Sequence, residues 1–316
     1  MIAPIIIFAF NRPQHLRKTL EALQRNSLAA QSDLIIYCDG PRSEAEGKLT
    51  EETRRVARQA IGFQSIDVVT SENNQGLGGS IIRGVTEVVA AFDRAVVLED
   101  DLITAPFFLE YMNTALDIYA DNPRVASVHG YLFPHSVTCP PETFFLKGTD
   151  CLGWGTWKRA WNFFEPDAAK LLRQIGEASS VDDFNAQGCY DFTGLLADVA
   201  EKRNSSWAVR WHASAFLHDM CTLYPGRSLV FHAGADGSGT NCGVHTLFDT
   251  CLSDTPIVVQ PVEVRADPRM AEARRAILLR ESGGRLGLLK ARIRRRFPLL
   301  GAAWHALRGK KRRKLA

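Results

Sequence analysis

Hydrophobic positions fall into short continuous runs, separated by stretches where they recur every three or four residues. The runs cover residues 5–10, 34–38, 66–70 and 95–98. A strand covered on both faces reads as such an aliphatic run. Between the runs, Pro13 stands at a helix N1 position and Leu16, Leu20 and Leu23 follow at helical spacing. Residues 50–61 are rich in helix formers, with Val56 and Ile61 toward the core. Ser80 opens a helix through Ile81, Ile82, Val85, Val88 and Val89 to Phe92. Strands alternating with helices predict an α/β fold, a mainly parallel sheet with crossover helices, Rossmann-like over residues 1–104.

Beyond Pro106 an aromatic amphipathic helix runs through Phe107, Phe108, Tyr111, Met112, Leu116 and Tyr119, stopping before Asn122-Pro123. Residues 125–129 predict a strand, 130–142 a loop and 143–146 a short strand. Residues 171–206 read as helical in pieces, and 207–211 lead into a helix through Phe216. Residues 223–225 and 228–230 are strand-like, and 234–243 form a polar, glycine-rich loop.

The chain of 316 residues has 46% hydrophobic and 23% charged residues, ordinary for a soluble globular protein with a sizeable core. No apolar run is long enough to span a bilayer. The apolar start lacks a basic region and ends at Asn11-Arg12-Pro13, so it reads as a strand and not an export signal. Seven scattered cysteines, none in a Cys-x-x-Cys pair, argue against zinc and for reduced thiols in the cytoplasm. The formal charge of +3 hides an asymmetry. From Arg265 onward 17 Lys and Arg stand against three acids, so the remainder of the chain is acidic.

The candidate chemistry centres on Glu99-Asp100-Asp101, directly after the run 95–98. Three adjacent acids repel one another and resist burial, and a hard divalent ion carrying a phosphorylated ligand would compensate them. An acidic turn capping the next helix, with Asp101 or Thr104 near the N-cap, would explain them equally simply. Asn11-Arg12, Cys38-Asp39, Asn73-Asn74-Gln75 and Glu99-Asp100-Asp101 all lie at carboxyl ends of predicted strands. In a parallel sheet those ends share an edge, so the four clusters converge on one crevice of nucleotide-binding kind. No G-x-G-x-x-G follows the first strand, and there is no Walker lysine motif. Gly76-Leu77-Gly78-Gly79-Ser80 would either offer backbone N–H groups to an anion or serve positive φ and close packing.

These stretches resemble a GT-A glycosyltransferase, specifically bacterial relatives of the N-acetylglucosaminyltransferase I family. The resemblance rests on Ala9-Phe10-Asn11-Arg12-Pro13, Tyr37-Cys38-Asp39-Gly40, Asn74-Gln75-Gly76-Leu77 and Val97-Leu98-Glu99-Asp100-Asp101-Leu102 with Ala105-Pro106-Phe107-Phe108. It extends to Leu152-Gly153-Trp154-Gly155 and Leu223-Tyr224-Pro225, covering roughly residues 1–245. It implies a GT-A-like mixed sheet flanked by helices, a nucleoside-diphosphate sugar such as a UDP-sugar as donor, and Mn²⁺ or Mg²⁺ as cofactor. By the same resemblance Asp101 holds the metal, Asp100 faces the ribose or the metal shell, and Glu99 contacts the donor sugar. Arg12 and Asp39 hold the nucleotide with Asn74, Gly76 and Leu77; a helix-end surface arginine is the plainer role for Arg12. Gly153 and Trp154 match a loop lining the sugar and acceptor sites, although core packing is the commoner fate of tryptophan. His232 would complete the metal shell as a histidine does in some GT-A enzymes, or be structural.

An inverting transferase needs a general base. The relatives carry an aspartate beside a tryptophan, where this chain has Trp207-Ala208-Val209-Arg210-Trp211 and no carboxylate. Asp191 and Asp236 are the remaining candidates, and either would serve as well as a cap. Without a base, transfer with retention is the other outcome. Arg210 would meet a phosphate or acceptor anion, or sit in a buried ion pair. The expected function is metal-dependent transfer of a sugar to a glycan or lipid-linked glycan acceptor in bacterial surface polysaccharide synthesis. A sugar-nucleotidyltransferase and a non-catalytic, membrane-tethered carbohydrate-binding protein are the alternatives.

The expected organisation is a transferase domain over 1–264, with an acceptor-side half over 105–264, and a basic segment over 265–316. In that segment Leu288, Leu289, Ile293, Phe297, Leu300, Trp304 and Leu307 interleave with cations. One apolar stripe beside a basic face predicts a helix over 285–316 on an anionic membrane surface, kinked at Pro298, with the protein peripheral at the inner face of the cell membrane. A helix packed on the globule is the blander reading, and no interleaved motif supports nucleic acid.

Overall fold

The structure, a computed structural model, describes residues 2–237 and 247–296. Its first half alternates as the hydrophobic runs predict: β1 (Ile5–Ala9), α1 (Pro13–Gln24), β2 (Asp33–Cys38), α2 (Glu44–Arg58), β3 (Ser65–Thr70), α3 (Gly76–Phe92) and β4 (Arg94–Glu99). There follow β5 (Leu102–Thr104), α4 (Phe108–Ile118), β6 (Val125–His129), β7 (Thr143–Lys147), β8 (Trp154–Trp157) and α5 (Lys158–Trp161). Next come α6 (Ala168–Glu177), α7 (Val181–Phe184), α8 (Phe192–Ala200), α9 (Trp207–Leu217), β9 (Cys221–Pro225), β10 (Val230–His232), α10 (Pro268–Glu281) and α11 (Gly284–Arg296).

Among the described residues the main sheet has eight strands in the order β3-β2-β1-β4-β8-β6-β9-β7. The first four are mutually parallel, so their carboxyl ends do share one edge. Beyond β4 the sheet turns mixed: β8 pairs antiparallel with both β4 and β6. β10 and β5 form a separate antiparallel pair, which brings His232 opposite Leu102, just past the acids.

β1 and the aliphatic positions of β4 are buried because helices cover both faces; Leu16, Leu20 and Leu23 of α1 and Ile81, Val85 and Val88 of α3 supply much of that cover. β3 is the exception. As the sheet's edge it is only half-covered, despite its apolar run.

Three boundaries differ from expectation. α3 begins at Gly76, four residues before Ser80, and the glycine-rich stretch is its first turn. Gly76 has φ +71, and a Cβ on Gly78 would lie 2.7 Å from the Ser205 carbonyl oxygen. These glycines therefore serve backbone conformation and close packing. Residues 207–211 belong to α9 itself. Finally, α10 is part of the globule: Met270 and Ile277 are buried in the same core as the sheet. The boundary expected at residue 264 thus cuts into the folded body, because α10 has an apolar face that the run of arginines obscures in the sequence.

Candidate active site

At the carboxyl ends of β1, β2 and β4 lies a cleft of about 300 Å³. Its walls include Phe10, Asn11, Arg12, Asp39, Asn74, Gly76, Leu77, Glu99, Asp100, Asp101 and His232. β1 delivers Arg12 one residue before α1, where Pro13 stops any backbone donation and starts the helix. β4 delivers the acids, and Asp100 is anchored from below: its N–H donates to Phe8 O, and the Thr19 hydroxyl donates to its carbonyl.

Arg12 bridges the two aspartates. One guanidinium nitrogen donates to Asp100 Oδ1 and the other stands 2.9 Å from Asp101 Oδ2. His232 Nε2 is 3.4 Å from the same Asp101 oxygen. Burial pushes Glu99 up to about 8, with the neighbouring aspartates adding to it. Burial likewise pushes Asp100 up to about 7, against the pull of Arg12. Asp101 goes the other way: burial raises it, but the His232 contact and Arg12 together hold it below the usual carboxylate range. Asp101 is therefore the committed anion of the three.

The other Asp101 oxygen, Oδ1, is buried without a hydrogen-bond partner among the described residues. An orphaned carboxylate oxygen in a closed corner fits a divalent ion. Among the described residues no group of three or more His, Cys, Asp or Glu could enclose such an ion alone. One carboxylate plus substrate phosphates and water is the usual arrangement for Mg²⁺, so Asp101 and His232 fit as partial ligands. Gly234 makes room for them, since a Cβ there would lie 2.0 Å from Asp101 Oδ2.

On the far wall Asp39 Oδ1 accepts from the N–H groups of Gly40 and Gln75, both at 2.8 Å, and Asn74 Nδ2 donates to Gly40 O at 2.8 Å. Asp39 and Asn74 thereby lash the end of β2 to the start of α3.

Residues 4–131 match the family described as "Glycosyltransferase like family 2". Over that stretch, about two fifths of its length, the chain is similar to family 2 glycosyltransferases. Among solved structures it is similar to S. aureus TarS at 13% identity, covering 46% of this chain and 24% of that one, with a TM-score of 0.31. For S. aureus TarS 1-349 the identity is 10%, the coverage 74% and 60%, and the TM-score 0.42. The chain thus spans about a quarter of the first TarS structure and 60% of the second. No curated protein matches. The α/β fold read from the sequence, a mixed sheet flanked by helices, stands, and the match over residues 4–131 agrees with a glycosyltransferase.

The cleft brings together nine of the expected site residues: Arg12, Asp39, Asn74, Gly76, Leu77, Glu99, Asp100, Asp101 and His232. Four others lie elsewhere. Trp154 is 1% exposed within β8 and stacks on Trp207 at 5.4 Å between ring centroids, so it is core and meets no sugar. Gly153, with φ +66, packs against Val230, where a Cβ would lie 2.7 Å from its methyl group. Asp191 is the N-cap of α8 and accepts from Gly194 N–H. Asp236 stands 3.2 Å from His15 of α1, and neither lines the cleft. Among the described residues Arg210 contacts no carboxylate; it donates to the carbonyls of Ser205, Ser206 and Pro166.

Sequence reasoning missed Phe10, Arg42, Ser205 and Gly234, all of which line the cleft. Arg42 sits 5.0 Å over the Phe10 ring and pairs with Glu46. Its position two residues past the Gly40 turn was the available signal. Ser205 offered none, because it arrives from the segment before α9.

Proposed function

We propose that the chain transfers a sugar from a nucleoside-diphosphate sugar, a UDP-sugar, to a glycan or lipid-linked glycan acceptor in bacterial surface polysaccharide synthesis. A closer kinship with bacterial relatives of the N-acetylglucosaminyltransferase I family is part of this reading. The observation that carries it is Asp101, ionised, half-paired with Arg12, and presenting an orphaned oxygen at the sheet's carboxyl edge.

Asp101 and His232 would hold Mn²⁺ or Mg²⁺, which supplies charge stabilisation for the departing diphosphate. Arg12 has a planar fork suited to phosphate and lies within reach of the same corner. Phe10 and Arg42 offer a stacked face beside Asp39 for the nucleoside. Glu99, at the end of β4, borders the sugar. The apolar face of α11 leaves Leu286, Leu289 and Ile293 exposed among basic residues, which supports a peripheral position on an anionic membrane at the inner face of the cell. Residues 297–316 of that expected segment lie outside the described residues.

The test is Mn²⁺-dependent hydrolysis of a panel of nucleotide sugars by the wild type and by Asp101→Ala. Wild-type turnover of one donor, lowered by roughly a hundredfold or more in the variant, is expected. No turnover and no metal-dependent binding of any donor by the wild type would sink the reading.

A further inference from the structure

Behind His232 the donor cleft meets a second cavity, of about 380 Å³. His232 lines both, and the turn before α9 divides between them, Ser205 facing the cleft and Ser206 the cavity. All but one of the residues in its wall follow residue 131, beyond the family 2 match. One side is aromatic, with Tyr131, Phe133, Tyr190 and Phe192. Flat apolar faces with a few convergent polar groups are what a sugar ring needs.

Two carboxylates share this wall, Asp150 and Glu281. Asp150 is already committed: it accepts from Cys151 N–H at 3.0 Å and from the Tyr224 hydroxyl at 3.4 Å, and Arg274 stands 3.8 Å away. Glu281 ends α10, lines the cavity with part of its side chain and leaves the rest open to solvent, and has no ion pair among the described residues. Thr149 also lines the cavity, 3% exposed, with a hydroxyl that has no hydrogen-bond partner among the described residues. Buried hydroxyls are rarely left unmatched, and a turn of this side chain would offer the hydroxyl to a ligand in the cavity.

We propose that this cavity holds the acceptor sugar and that Glu281 takes the proton from its attacking hydroxyl. The proposal rests on the donor reading above. The acceptor oxygen forms a bond to the anomeric carbon as the bond to the diphosphate breaks. The electron pair leaves with the diphosphate, and the hydroxyl proton passes to the Glu281 carboxylate. This single displacement inverts the anomeric centre. Asp150 and Thr149 orient the ring and take no proton. The Glu281 carboxyl is pushed up to about 7 by burial against the cavity wall and by the charge of Asp150, which suits a base working near neutrality. No carboxylate on α9 is needed, because α10 brings one to the same cavity.

The test measures UDP release from a UDP-sugar panel with Mn²⁺, using p-nitrophenyl glycosides and water as acceptors, alongside donor Kd by calorimetry. Glu281→Gln is expected to lower kcat by roughly a hundredfold or more with donor Kd unchanged, and Glu281→Asp to recover part of it. Wild-type kcat in Glu281→Gln, or donor binding lost in step with kcat, overturns the assignment. So does a wild type that binds a donor yet releases no UDP to any glycoside or to water. A wild type that binds no nucleotide sugar instead overturns the donor reading beneath it.

Discussion

Arg12 sets the local balance of charge. Two aspartates taken out of water are tolerable because one guanidinium spans both, and removing one partner of such a buried pair typically costs about 3–5 kcal/mol. Asp101 is consequently pinned, which makes Gly234 a sensitive neighbour. Its added Cβ would lie 2.0 Å from Asp101 Oδ2 and 3.0 Å from His232 Nε2. The carboxylate could move away only by giving up Arg12. Gly234→Ala is therefore expected to weaken Mn²⁺-dependent nucleotide-sugar binding by roughly tenfold or more, about 1.4 kcal/mol, while the protein stays folded. Calorimetric titration with and without Mn²⁺ reads this directly, and unchanged affinity would show that Asp101 need not keep its present place.

The segment joining β7 to β8 carries Thr149 and Asp150 to the cavity, and buried imidazoles hold it there. Leu152 N–H donates to His129 Nε2 at 3.0 Å, so His129 must be neutral. His212 meets the Thr149 backbone with Nδ1, and Gly148, at φ +79, passes so close that a Cβ would lie 2.4 Å from the ring. Burial pushes both histidines down to about 4 from an ordinary 6.5. Between those values the unfolded chain binds protons that the folded one refuses, so each histidine makes stability fall as the pH drops from 6.5 to 4. Glu99 and Asp100, with raised values, act in the opposite sense as the pH rises, and only a difference isolates one group. The advantage of wild type over His129→Gln in urea unfolding should be level above pH 6.5 and shrink by about 1.4 kcal/mol per unit toward pH 4. A pH-independent difference would mean that His129 is charged in the fold. This segment also shows where local sequence runs out. The parallel half was legible because every strand in it is an aliphatic run ending in polar residues, and Arg12, Asp39 and Asp101 duly meet. Trp154 was not legible, because β4 and β6, the strands that bury it, come from distant parts of the chain. Asp191 was not either, since an isolated aspartate looks the same in sequence whether it caps a helix or takes a proton.

Across the whole molecule the acidic globule and its basic end are joined at the cavity itself. α10 places Arg274 and Glu281 in the cavity wall, and three residues later, through Gly283 and Gly284 at φ +72 and +71, α11 begins. Leu288 of α11 is 6% exposed, whereas Leu286, Leu289 and Ile293 are 70%, 53% and 45% exposed, so its apolar side chains are only partly used by the globule. A surface that docks on α11 would hold the mouth of the cavity close to lipid, where a lipid-linked acceptor presents its sugar. Each cation near an anionic leaflet contributes about 1 kcal/mol, and the term is screened by salt. The full chain is expected to pellet with phosphatidylglycerol vesicles at low salt, to be released as salt rises, and to ignore neutral vesicles. Deletion of residues 285–316 should abolish pelleting yet leave nucleotide-sugar binding intact, because among the described residues the cleft draws none from that segment. Equal pelleting by the shortened chain would move the membrane contact elsewhere on the molecule. Pelleting that survives high salt would make the exposed leucines, and not the charges, its main source.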